Sequence, residues 1–311
     1  MSATGDLIYQ YGDIEAEFFI RSSAKPFQAY IAQAEGADLS PLQLALACAS
    51  HDGDAAHVAI VASMLAEAGL SSDDLQCPEA WPLGRAGRDR RVREGSTSPR
   101  RIWHNCSGKH AAWLRASAAK GWSTEDYLDP GHPLQMRIRE FVSELGGHAT
   151  DPVGVDGCGA PVLRTTVRAM ATMFSRLASD RELSEVFRAM HAYPAMVSGV
   201  GNGDTVIATA LDAAAKRGAL GCIGVSVRNQ FGVAAKSWEG SEQVAVSAAA
   251  AAIAQVSKLS AFQSEVLQPA ISPPSLGGGS VVGHLEPRFE LEPAAGQQPA
   301  LFGGGAEAGA P

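Results

Sequence analysis

Two runs, LGCIGVSVRN and QFGVAAKSW, flank a polar turn at Arg228 to Gln230, and they constrain the fold more than any other stretch. Alternating β-branched residues fit a pleated surface, and a short turn between two such runs reads as a β-hairpin. An antiparallel sheet is therefore expected. Further strand character lies in LIYQY and EFFI within residues 6 to 20, and in SVVGHLEPRFEL near the end. Most of the remainder carries helical spacing. Phe27, Tyr30, Ile31 and Ala34 predict a helix from about residue 23 to 35, and SPLQLALAC predicts a second, capped by Ser40 with Pro41 at its first position. Residues 54 to 68, 162 to 192 and 243 to 260 read as helices, and another begins at HNCSGKHAAWL. VGVDGCGAPV reads as a strand entering a tight turn, and residues 71 to 105 as loop. The expected fold class is α+β, an antiparallel sheet flanked by helices. After Glu292 the glycine-, alanine- and proline-rich sequence is too poor in apolar residues to pack, which predicts a disordered tail.

With 311 residues, 46% of them apolar, the chain can bury one large core or two smaller ones. Its formal net charge of -8 argues against nucleic-acid and anionic-membrane partners. One basic run, residues 84 to 101, reads as a solvated loop rather than an anion site. The cysteines are Cys48, Cys77, Cys106, Cys158 and Cys222, odd in number and widely spaced. That pattern fits a reduced, cytoplasmic setting better than a disulfide framework. The start lacks the basic-then-apolar pattern of a secretory leader, and the apolar run around Val244 to Val256 is too short to span a bilayer.

Three stretches carry groups suited to chemistry. In RSSAKPFQAY, Ser22 and Lys25 are three residues apart at a helix start, so hydroxyl and amine can share one helical face. A lysine in a partly desolvated pocket can take a serine's proton, and a helix N-terminus favours developing negative charge. The bland alternative is a capping serine beside a solvated lysine. The SDN and KTG tripeptides that accompany such a motif in β-lactamases are absent, while serine acyl transfer remains available. In HNCSGKHAAWL, Cys106 and Lys109 open another helix, followed by His110, and DGCGAP adds Asp156 and Cys158. Two thiolates and a nitrogen can hold zinc with one position left open, although no CxxC or HExxH pattern is present, and ordinary buried cysteines give the same residues. In ASHDGD, Ser50 ends an apolar helix, with Lys216 and Lys236 as distant candidates to serve it.

Taken together, RSSAKPFQA, CASHDGDAAHV, HNCSGKHA, VDGCGAP and AMHAYPAMVSGVGNGDT resemble the rhizobial-type L-asparaginases, the asparaginase II family, in order and in separation over about residues 6 to 292. The resemblance implies a serine β-lactamase- and glutaminase-like fold, with one catalytic domain over residues 1–292 ahead of the tail at 293–311. It implies hydrolysis of L-asparagine to L-aspartate and ammonia. Two serine-lysine tandems are carried over: Ser22 with Lys25, and Ser50 with Lys216, Lys236 being the fallback. Ser22 is marginally favoured as nucleophile because helical geometry fixes its lysine. The family's zinc site falls on Cys106, Lys109 and Cys158, while Arg21, His110 and Asp156 fall on residues that line or support the pocket. A homodimer without organic cofactor is expected. Family members usually begin with a further strand holding an acidic residue and a His-Arg pair, and this chain begins after it, which leaves an open sheet edge as an expectation. The readings held against this one are hydrolysis of another amide such as glutamine, and a non-catalytic remnant binding zinc or an amino acid.

Overall fold

The computed structural model describes residues 1–297 and 301–303. In chain order the elements begin with β1 (Tyr9–Gln10), β2 (Glu17–Phe19), α1 (Lys25–Ala32), α2 (Pro41–Ala47), α3 (Ala55–Glu67), α4 (Arg85–Arg93), α5 (Ser107–Lys120) and α6 (Pro133–Gly146). Next come β3 (Gly154–Val155), β4 (Pro161–Val162), β5 (Arg164–Thr166), α7 (Val167–Ser179), α8 (Ser184–Ala192), α9 (Pro194–Val197) and α10 (Gly203–Ala210). The chain then runs through β6 (Ala213–Gly218), β7 (Cys222–Val227), β8 (Phe231–Lys236), α11 (Glu242–Val256), β9 (Ser257–Lys258) and α12 (Ala261–Ile271). Last are β10 (Pro274–Gly277), β11 (Ser280–His284), β12 (Glu292–Pro293) and β13 (Phe302–Gly303). These elements form two compact units, Met1–Ser23 with Thr165–Phe187 and Gly201–Pro311, and Ala24–Arg164 with Arg188–Val200. The chain is α+β, as its sequence predicts.

The first unit is built on the antiparallel sheet β6-β7-β8, whose β7–β8 hairpin is the one predicted from the flanking alternation. Ile223 and Val225 on one face join Ala245, Ala249 and Ile253 of α11 in a common core. On the other face Gly224 and Gly232 lie against α7, where an added Cβ would come within 2.1 Å of the Phe174 ring and the Ser175 backbone. Glycine is needed there because the helix lies directly on the strands. The outer edge of β8 meets Met1 and Ser2: Gly232 N–H donates to Met1 O at 2.8 Å, and Ser2 bridges Phe231.

The second unit wraps helices around α5, in which every residue from Ser107 to Ser117 is buried. Small residues permit that enclosure; a Cβ on Gly108 would sit 2.6 Å from the Leu46 carbonyl oxygen of α2. Ser40 caps α2 through a box with Gln43, and Asp54 caps α3 by accepting the His57 N–H.

Several boundaries differ from expectation. The arginine run expected as loop forms α4: Pro82 and Pro99 bracket a proline-free segment whose arginines are good helix formers. The single helix expected over 162 to 192 is two helices preceded by strand, because Thr166 caps α7 and Asp180 leaves it in extended conformation. The strand β6 is alanine-rich and lacks the β-branched pattern of its partners. Part of the expected tail is ordered by pairing, with β12 on β1 and β13 on β9, and Phe302 packing on Phe231. The rest of that expected tail, residues 298–300 and 304–311, lies outside the described residues.

Candidate functional site

Lys25 opens α1, with Pro26 directly behind it in the first turn, where its missing N–H costs no helical bond. Its side chain is not solvated: only 1% of the residue is exposed. The Nζ atom donates to Ala49 O at 2.5 Å, Ser50 Oγ at 2.9 Å and Cys106 Sγ at 3.2 Å. Ser50 itself sits just past α2 in a segment pinned by backbone bonds, from Ser50 N–H to Val197 O and from His51 N–H to Asn105 O. The local spacing that pairs Lys25 with Ser22 is thus joined by a long-range contact with Ser50. Ser22 lies half-buried in a 3₁₀ turn, Arg21–Ala24, that separates it from the α1 cap position at Ala24. Arg21 starts that turn with φ 52°, a left-handed value uncommon outside glycine.

Cys106 is the residue before α5, and Lys109 follows one turn on. Cys158 comes from the glycine turn between β3 and β4, closed by Asp156 N–H to Ala160 O and by Gly159 N–H to Asp156 O. Asp156 also accepts the Gly157 N–H through its side chain. The Lys109 amine lies 3.2 Å from Cys158 Sγ and 4.2 Å from the Trp113 ring centroid. A hydrogen bond from Cys106 holds the Cys158 thiol far below its ordinary pKa, against burial and with help from Lys109 and His110. The same bond, with burial, pushes Cys106 well above it. Burial works to lower the Lys109 pKa, and the neighbouring Cys158 above all outweighs it, so the pKa lies above its ordinary value.

His110 belongs to a buried relay. Tyr127 Oη accepts the Gln76 N–H at 2.9 Å and lies 2.8 Å from His110 Nδ1. Burial lowers the pKa of His110 and takes His104 down to about 4, so both rings are neutral near pH 7. Tyr127 stands in no recognisable motif, and Trp113 lies within HNCSGKHAAWL with nothing local to mark its contact with Lys109.

In the first unit, Lys216 is fully buried on β6. Its Nζ donates to Arg217 O at 2.8 Å and lies 3.4 Å from Asp204 Oδ2, with Arg217 Nε 3.0 Å from the other carboxylate oxygen. Burial raises the Asp204 pKa, and Lys216 and Arg217 overcome that, leaving it below the usual carboxylate value. Asp204 was visible only as part of GNGDT. Lys236, by contrast, ends β8 partly exposed, bonded to the Leu220 and Ser237 carbonyls.

Among the described residues, no cluster of three or more His, Cys, Asp or Glu could hold a metal ion. The set Cys106, Lys109 and Cys158 differs by drawing its third donor from lysine. It fits a soft divalent ion in donor chemistry: two buried sulfurs and a buried amine 3.2 Å from one of them. Residues 1–287 match the family model described as L-asparaginase II, and no curated protein matches the chain.

Proposed function

We propose, from the premise that the chain belongs to the L-asparaginase II family, that it hydrolyses L-asparagine to L-aspartate and ammonia with Ser50 as nucleophile and Lys25 as its base. One observation carries the assignment: the buried Lys25 Nζ is 2.9 Å from Ser50 Oγ, within reach for direct proton transfer. With the proton that faces Ser50 given up, the Lys25 amine keeps its two N–H groups for Ala49 O and Cys106 Sγ, and its lone pair accepts the Ser50 proton while the serine oxygen bonds to the side-chain amide carbon. As that tetrahedral adduct collapses, the C–N bond breaks and Lys25 returns the proton to the departing nitrogen, which leaves as ammonia. Water then attacks the aspartyl ester, giving one proton to Lys25, and the ester oxygen leaves as the Ser50 hydroxyl when Lys25 protonates it. Burial of the pair excludes competing solvent.

Ser22, with Lys216 as the second lysine carried over by resemblance, is kept for a supporting role. Arg21 belongs beside Ser22 in that reading, while His110 and Asp156 act on Cys158 and Lys109. Zinc would be held by Cys106, Lys109 and Cys158, supplying a positive centre that orients the substrate's amino-acid end. Its binding requires the Lys109 amine and Cys106 thiol to lose their protons.

The test is ammonia release from L-asparagine and L-glutamine by the purified chain and by Ser50→Ala, Lys25→Ala and Ser22→Ala. Ser50→Ala and Lys25→Ala should lose at least about 10³-fold in kcat, while Ser22→Ala retains measurable turnover. Full activity in Ser50→Ala would transfer the nucleophile's role to Ser22. A preference for glutamine would change the substrate.

A further inference from the structure

We propose that His51 is a positioning residue for Ser50, its imidazole fastening the Ser50 segment to the turn that starts α5. The inference rests on the reading of Ser50 as nucleophile with Lys25 as its base. The Ser107 hydroxyl has one proton and gives it to Ile102 O at 2.9 Å. Toward His51 Nε2, 3.0 Å away, the same oxygen can therefore only accept, so Nε2 carries the ring proton and Nδ1 is bare. The His51 backbone N–H donates to Asn105 O at 3.1 Å. One residue thus holds positions 105 and 107, on either side of Cys106.

Cys106 Sγ in turn receives Lys25 Nζ, the amine that meets Ser50 Oγ. The contacts close a ring: Ser50 to His51 along the chain, His51 to the residues around Cys106, Cys106 to Lys25, and Lys25 back to Ser50. Loosening the His51 contact lets Ser50 drift from its base, and a displacement of about 1 Å at a reacting group can cost ~10²-fold in rate. His57 of α3 stacks on one face of the His51 imidazole at 5.2 Å with 14° between the planes. The His51 Nδ1 is buried without a hydrogen-bond partner among the described residues. A side chain chosen for packing alone would be apolar there, because a bare buried nitrogen costs free energy. Burial first, then the neighbouring His57, Lys25 and His104, keep this imidazole neutral.

Glutamine can place an amide N–H near the position of Nε2, whereas the shorter asparagine reaches only as far as Nδ1. His51→Gln should keep kcat within about fivefold of wild type, while His51→Asn and Ser107→Ala lower it ~10²-fold with KM within about twofold. The double variant His51→Asn/Ser107→Ala should be no slower than either single one, because both remove one contact. Nitrogen NMR of the labelled ring reads the geometry independently and should show protonated Nε2 and bare Nδ1 from pH 6 to 9. Labelling of Ser50 by a fluorophosphonate, followed by intact mass, reads nucleophile reactivity without asparagine. The same ranking of variants in labelling, in a wild type that releases no ammonia, supports positioning and removes only the substrate assignment. Equal loss in His51→Gln and His51→Asn, a protonated Nδ1, wild-type turnover in Ser107→Ala, or a Ser50 that does not label in the wild type each overturns the proposal.

Discussion

Gly108→Ala is the most demanding test of how the second unit is assembled. In an exposed helix this change is favourable by about 0.8–1 kcal/mol, since alanine is the better helix former. Here the new methyl would lie 2.6 Å from the Leu46 carbonyl oxygen, 2.9 Å from Leu46 Cγ and 3.2 Å from the Leu46 carbonyl carbon. Two of those three atoms are backbone, so no rotamer change relieves the contact and α2 must move away from α5. Overpacking of a tight core costs about 1–3 kcal/mol, and a clash with backbone belongs at the upper end. Subtracting the propensity gain leaves a loss of about 2 kcal/mol, or about 4–8 °C in Tm if the scale for large domains applies. The assay is thermal unfolding by circular dichroism at fixed pH, with kcat measured on the same preparations. Because α2 leads into Ala49 and Ser50, both acceptors of Lys25, kcat should fall along with Tm. A variant that melts at or above the wild-type temperature would show that α2 and α5 are not packed this closely.

Three more expectations follow from buried charges. Asp204→Asn strips Lys216 of its carboxylate and should lower stability by about 3–5 kcal/mol, read as a shift in the urea midpoint; an unchanged midpoint would mean that Lys216 does not depend on Asp204. Added zinc should bind with release of protons, detectable in a weakly buffered titration, and Cys158→Ser should abolish stoichiometric uptake; equal uptake by the variant would remove Cys158 from the ligand set. His104 has a folded pKa near 4, and His51 also lies well below its ordinary value, so the unfolded chain binds more protons between about pH 6.5 and 4. Stability contributed by the neutral rings is full above that window and is lost as the pH falls through it, and a Tm that stays level across the window would contradict their burial.

The hairpin was legible because alternation and a polar turn are local signals, as were the caps Ser40 and Asp54. β6 was not, since DAAAKRG has no β-branched pattern and is a strand only through pairing with β7. The arginine helix α4 was hidden by its polarity: its only buried residue is Gly87, so no apolar stripe marks it. At the candidate site, spacing made Lys25 conspicuous and pointed to Ser22, because helical periodicity relates only near neighbours. The contact with Ser50 bridges 25 positions and depends on where α2 packs. Ser50 and His51 stood together in ASHDGD, yet the link from His51 to Ser107 spans 56 positions and has no local signature.

The interleaving of the two units sets a timetable for synthesis. All of the second unit has been made once Val200 emerges, whereas the first unit needs residues before Ala24 and after Val200. Its short pairing of Tyr9 with Pro293 joins segments far apart in the order of synthesis. On a ribosome the helices around α5 can condense while the opening residues wait for the three-stranded sheet that will receive them. Until then, Met1 and Ser2 have no β8 to lie against, and Tyr9 and Gln10 have no partner strand.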